Sequence, residues 1–204
     1  MTTVVDISGA IPADQLTPEV REALGRLVDE NGLLRAALTE MRARISDLEE
    51  SAEVDPLTGL ANARQFRAQL ERVVSQSNRH GTPAALLLID LTGLKAVNER
   101  YGQIAGDAAL SHVARLLKEL IRTSDVAART GGATFALLLD HLDSESAIDT
   151  GERIARCVAA QPLDLGGTRV PLGATVAVAA ILAGDKADAV VERAERNLAR
   201  VREF

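Results

Sequence analysis

From residue 18 to about residue 52, apolar side chains return at spacings that alternate three and four: Leu24, Leu27, Leu34, Leu38, Met41, Ile45 and Leu48. Asn31 fills the one gap. The pattern predicts a helix with Thr17 as cap and Pro18 in its first turn. Its seam has Leu24, Asn31, Leu38 and Ile45 at a positions and Leu27, Leu34, Met41 and Leu48 at d positions. In a parallel pair Asn31 meets its own mate, which sets register at some cost in stability. Glu30 then faces Arg35 across the dimer, and Arg44 faces Glu49. The alternative, a helix packed on its own domain, usually carries a wider apolar stripe. Gly32 lies off the seam and weakens the helix by about 1 kcal/mol. Residues 17–53 are therefore expected to be a coiled-coil dimerisation helix, preceded by a flexible tail over 1–16, where no period is visible.

After Val54 the pattern changes. Residues 55–60 form a turn-rich break, and a helix is expected over 62–77. An apolar run over 84–90 reads as a buried strand, followed by a short helix over 94–100. A loop containing Gly102 and Gly106 leads to a helix over 107–122, and strands at 126–130 and 134–139 flank Gly131-Gly132, a hairpin signal. A helix over 144–160, a strand around 170–180 and a last helix from 186 complete a domain over 54–204. Helices alternating with strands, with one hairpin among them, predict an α/β sandwich with an antiparallel component.

Composition narrows the function classes. Aromatic residues are 2% of the 204, so the core is built from Leu, Val, Ile and Ala. A net charge of -6 argues against a nucleic-acid backbone as main partner. The single cysteine, Cys157, excludes an internal disulfide and reads as a small buried apolar residue. No long uncharged apolar run and no signal-peptide pattern occurs, so a cytoplasmic protein without membrane insertion is expected. His80, His112 and His141 share no ligand spacing.

The motifs are more specific. Asp55-Pro56-Leu57-Thr58-Gly59-Leu60-Ala61-Asn62-Ala63-Arg64-Gln65-Phe66 is similar to the opening D-x-L-T-G-L-x-N-R-R-x-F of the GGDEF family, the diguanylate cyclases. Leu88-Ile89-Asp90, then Lys95-Ala96-Val97-Asn98-Glu99-Arg100-Tyr101-Gly102, and Gly106-Asp107 with Leu110 resemble the blocks that follow. The resemblance covers about 55–204 and implies a class III nucleotidyl cyclase-like α/β sandwich, here preceded by the long coiled-coil helix.

Active members join two GTP molecules into cyclic di-GMP with Mg²⁺ held by carboxylates. By resemblance the first metal ligand is Asp90, a weak site here, because the second falls on Ala133 in Gly131-Gly132-Ala133-Thr134-Phe135. A methyl group offers a cation no oxygen. Thr92, Leu94, Thr134 and Gln103 also depart from the family pattern, and Arg202 falls where the family has a phosphate-contacting lysine. These departures lead to the expectation that cyclase activity is lost and that no residue is catalytic. Asn98 and Asp107 fall on positions that read guanine, an amide and a carboxylate suited to its edge. Either could instead be structural, with Asp107 capping the next helix.

The family's product-inhibition motif, R-x-x-D, matches Arg122-Thr123-Ser124-Asp125, six residues before Gly131, and Arg153 falls on the position that completes the pocket. Guanidinium groups fork onto phosphates or the O6 and N7 of guanine. The simpler reading has Arg122 capping a helix end and Arg153 solvated. The expected function is thus a cyclic di-GMP receptor with no required cofactor, Mg²⁺ entering only with GTP, that signals to an unidentified protein partner as a coiled-coil homodimer. The rival readings are a nucleotide-independent scaffold and a GTP-binding pseudo-cyclase.

Overall fold

The computed structural model describes residues 17–51 and 53–202, with the backbone alone for 43 and 45–51. The tail expected over 1–16 and the side chains of Ile45, Leu48 and Glu49 lie outside the described residues. The chain divides into two compact units, Met1–Ser51 and Ala52–Phe204.

In the first unit, helix α1 (Pro18–Ser51) begins where the Thr17 hydroxyl accepts the Val20 N–H at 3.3 Å. Glu22 pairs with Arg26 at 2.6 Å and Glu40 with Arg44 at 2.8 Å, one turn apart along the helix. Arg44 therefore has a partner on its own helix, where the heptad pattern pointed to Glu49 of a second chain.

The second unit runs α2 (Ala63–His80), β1 (Ala84–Thr92), α3 (Leu94–Tyr101), α4 (Gln103–Leu120), β2 (Val126–Gly131), β3 (Thr134–Asp140), α5 (Ser144–Ala160), β4 (Leu163–Leu165), β5 (Thr168–Val170), β6 (Gly173–Ile181) and α6 (Ala187–Arg202). Four strands form a sheet in the order β2-β3-β1-β6, antiparallel at every pairing. β1 lies inside it, and this explains its unbroken apolar run, because both faces are covered. Ala85, Leu87, Ile89 and Leu91 pack with α4 and α5, whereas Ala84, Leu86 and Leu88 pack with α2 and α6. Local chemistry sets the helix ends. The Asn62 side chain accepts the Gln65 N–H at 2.9 Å to start α2, and Gly81, at φ 65°, ends it.

Three elements depart from the sequence pattern. Helix α4 starts at Gln103, not 107, because Gly102 (φ 84°) already makes the turn and closes α3 through its N–H to the Asn98 carbonyl at 2.9 Å. Asp107 is thus inside the helix and caps nothing. The strand expected around 170–180 divides at Pro171-Leu172. Its first part, β5, pairs only with β4 across Gly166-Gly167, both at positive φ, and β6 alone joins the sheet. Third, the hairpin turn is Gly132-Ala133, with neither Gly131 nor Gly132 at positive φ and a register shift between Arg129 and Gly131. Among the described residues no helix is long and apolar enough to cross a membrane.

The approach to α6 is held by a charged lock. Arg193 binds the Asp185 carboxylate and donates to the Ala180 carbonyl at 2.6 Å, while Asp185 accepts the Leu182 N–H at 2.7 Å. Burial pushes the Asp185 carboxyl up, but the Arg193 guanidinium and the Leu182 N–H outweigh it and hold it below the usual carboxylate range. A depressed carboxyl stabilises the fold above its unfolded pKa of about 4 and loses that contribution as pH falls through the folded value. The melting temperature is expected to drop more steeply from pH 5 to pH 3 for the natural chain than for Asp185→Asn, measured by circular dichroism; parallel curves would refute the lock.

Candidate functional site

The signature hairpin is braced from outside the sheet. In the turn after Val54, Asp55 accepts the Thr58 N–H at 2.8 Å and hydroxyl at 2.6 Å. Its other oxygen meets Arg129 Nη1 at 3.3 Å. Arg129 also donates to the Gly132 carbonyl from Nε at 3.2 Å and Nη2 at 2.9 Å, a fork that holds the turn from its own strand. This pair was not anticipated from the sequence, since nothing local links Asp55 to a strand so far along the chain.

At the end of β1, Asp90 follows Leu88 in the strand alternation and so faces α2 and α6. Its Oδ2 lies 2.8 Å from Arg202 Nη2, and its Oδ1 accepts the Thr134 hydroxyl at 3.4 Å. Ala133 turns its carbonyl to the Leu91 N–H at 3.0 Å. Among the described residues no three His, Cys, Asp or Glu side chains converge on a possible ion. Without substrate these residues do not fit the magnesium that the family resemblance implies: the one carboxylate is paired with Arg202, and the turn offers no second. Beside this pair a cavity of about 630 Å³ opens between α2, the hairpin and α6, floored by Phe66, Leu70, Leu88 and Leu198, with Arg202 on its wall.

Asn98 and Asp107 lie on the two sides of the α3–α4 bend. Gly106 lets the Asn98 side chain lie close, since a Cβ at that position would lie 1.8 Å from Asn98 Oδ1. The obstructing atoms are the free end of an exposed side chain, so Gly106→Ala costs the fold little and displaces the Asn98 carboxamide. The variant is expected to melt within about 3 °C of the natural chain while the Asn98 side-chain amide signals move in a ¹H–¹⁵N spectrum. Unmoved signals would refute the close approach.

Arg122 and Asp125 stand at the turn between α4 and β2, joined through their backbone. The Asp125 carboxylate accepts the Arg122 backbone N–H at 2.9 Å, and the Asp125 N–H returns to the Arg122 carbonyl at 3.1 Å. Arg153, one helix later on α5, reaches back and donates from Nη2 to the Leu120 carbonyl at 3.3 Å. It is Arg153, not Arg122, that satisfies the last turn of α4. Arg122 and Arg153 are exposed and Asp125 is half-buried.

Comparison with known proteins agrees with this architecture. The family described as "Diguanylate cyclase, GGDEF domain" matches residues 52–203. Diguanylate cyclase DgcP of Pseudomonas aeruginosa is 29% identical over 184 residues, 90% of this chain and 27% of DgcP. The coiled coil and GGDEF domain of DgcB from Caulobacter crescentus, in complex with c-di-GMP, superimposes with a TM-score of 0.71 at 26% identity, covering 89% of this chain and 94% of that one. Diguanylate cyclase SiaD of Pseudomonas aeruginosa, in complex with its activator SiaC, gives a TM-score of 0.71 at 29% identity over 91% of this chain and 71% of that one. The chain spans 11% to 42% of the length of the first curated relatives it matches.

These relatives correct one expectation. The departures at Ala133 and Thr134 led to the view that cyclase activity is lost, yet the proteins aligned with this chain are named diguanylate cyclases. The physical reason is that magnesium is held largely by substrate phosphates and water in such sites. Losing one protein ligand bears on metal affinity and does not of itself decide activity. From its opening turn, its antiparallel four-stranded sheet and its match over residues 52–203, this chain belongs to the GGDEF family, with the class III cyclase-like α/β fold.

Proposed function

We propose that this chain is a cyclic di-GMP receptor, reading the ligand through Arg122, Asp125 and Arg153. The observation that carries the reading is that Arg153, from a different helix, bonds the Leu120 carbonyl beside the α4–β2 turn that holds Arg122 and Asp125. Two planar forks suit the phosphates and the O6–N7 edge of guanine, and a carboxylate suits its amino edge. DgcB, similar over both helix and domain, is known in complex with c-di-GMP. The coil would join two chains in parallel through α1, and the signal would pass to a protein partner. SiaD, which pairs with an activator protein, is a related case. A cytoplasmic place of action goes with this reading, because the ligand is a nucleotide made from GTP.

Calorimetric titration tests it, with cyclic di-GMP and, separately, GTP with Mg²⁺. Saturable heat with cyclic di-GMP supports the receptor. Heat with GTP alone would favour a GTP-binding regulator acting through Asn98 and Asp107, and silence with both would leave a scaffold.

A further inference from the structure

We infer that the Arg202 guanidinium is the resident counter-cation of Asp90, standing where the family carries a divalent ion, so that the chain alone offers no divalent site at the end of β1. Both Asp90 oxygens are engaged, Oδ2 by Arg202 at 2.8 Å and Oδ1 by the Thr134 hydroxyl at 3.4 Å. The turn adds no carboxylate, and the Ala133 carbonyl is turned to the Leu91 N–H at 3.0 Å. Magnesium demands near-octahedral oxygen ligation and dehydrates reluctantly. It would have to displace a guanidinium and gain a single carboxylate in return. The guanidinium is charged at every accessible pH and needs no dehydration of that kind. Arg202 is tethered close by, on the last turn of α6, with its side chain on the wall of the 630 Å³ cavity. The pair forms within the chain and draws no ion from solution. The inference is independent of the cyclic di-GMP reading, since it concerns another face and another ligand class.

Mn²⁺, followed by the loss of its free-ion electron paramagnetic signal, is the probe. The natural chain is expected to show no saturable site below about 1 mM. Ala133→Asp alone stays weak, while Ala133→Asp with Arg202→Ala binds Mn²⁺ at least about tenfold more tightly than Ala133→Asp. Arg202→Lys in the same background keeps the charge and gives no such gain. A gain of less than tenfold on removing Arg202 overturns the inference. So does saturable binding to the natural chain that Asp90→Asn abolishes, a comparison that stands if the double variant fails to fold.

Discussion

Arg122→Ala is expected to weaken cyclic di-GMP binding by about 10- to 100-fold, the range for losing hydrogen bonds to a charged partner. The estimate rests on where the motif's internal bonds run. Asp125 is held by the backbone N–H of Arg122, not by its guanidinium, so truncating the side chain leaves the turn intact. The exposed guanidinium is then available to the ligand alone, and its removal subtracts binding without loosening the fold. Arg153→Ala is less clean, because it also strips the Leu120 carbonyl of its donor at the end of α4. Arg122→Lys separates charge from shape: it restores a point charge but not the fork, and only part of the affinity should return. Isothermal titration of the three variants, with melting curves as control, reads all of this. An Arg122→Ala isotherm that superimposes on that of the natural chain would remove the motif from the binding site.

What was legible in the sequence divides by the range of the interaction. Helix α2 was readable because its start and stop are local, a capping Asn62 and a left-handed Gly81. Strand β1 was readable because a strand covered on both faces must be apolar throughout. The start of α4 was misplaced for a physical reason: Gly106 looks like a loop glycine, yet it serves the close approach of Asn98 inside a helix. Strands β4 and β5 have three residues each, too few to show a period. The same division holds at the sites. Arg122 and Asp125 lie three residues apart, so the turn that joins them is local. The Asp90–Arg202 and Asp55–Arg129 pairs join distant segments, so folding alone brings them together. Gly131 and Gly132 also gain a different meaning. Neither has positive φ, and a Cβ on either would meet nothing within 4 Å, so the fold itself does not demand glycine there.

Leu34→Asp combined with Leu38→Asp is expected to convert the protein from twice the chain mass to the 21.6 kDa of one chain at micromolar concentration. On α1 the seam residues Leu27, Leu34, Leu38 and Met41 are 61%, 59%, 54% and 60% exposed, so a single chain leaves them in water. Burying one leucine is worth about 1.5 to 3 kcal/mol. A symmetric pair loses four leucines in this variant, roughly 6 to 12 kcal/mol, against about 8 kcal/mol for micromolar association. The introduced carboxylates add like-charge repulsion at the seam. The helix itself should weaken less, because its Glu22–Arg26 and Glu40–Arg44 pairs lie within one chain and survive dissociation. Asn31→Leu is the complementary change, expected to tighten association while relaxing the two-chain state and its register. Sedimentation equilibrium measures both variants. An unchanged mass for Leu34→Asp/Leu38→Asp would mean that α1 does not carry the association, and a monomeric natural chain would mean there is none to carry.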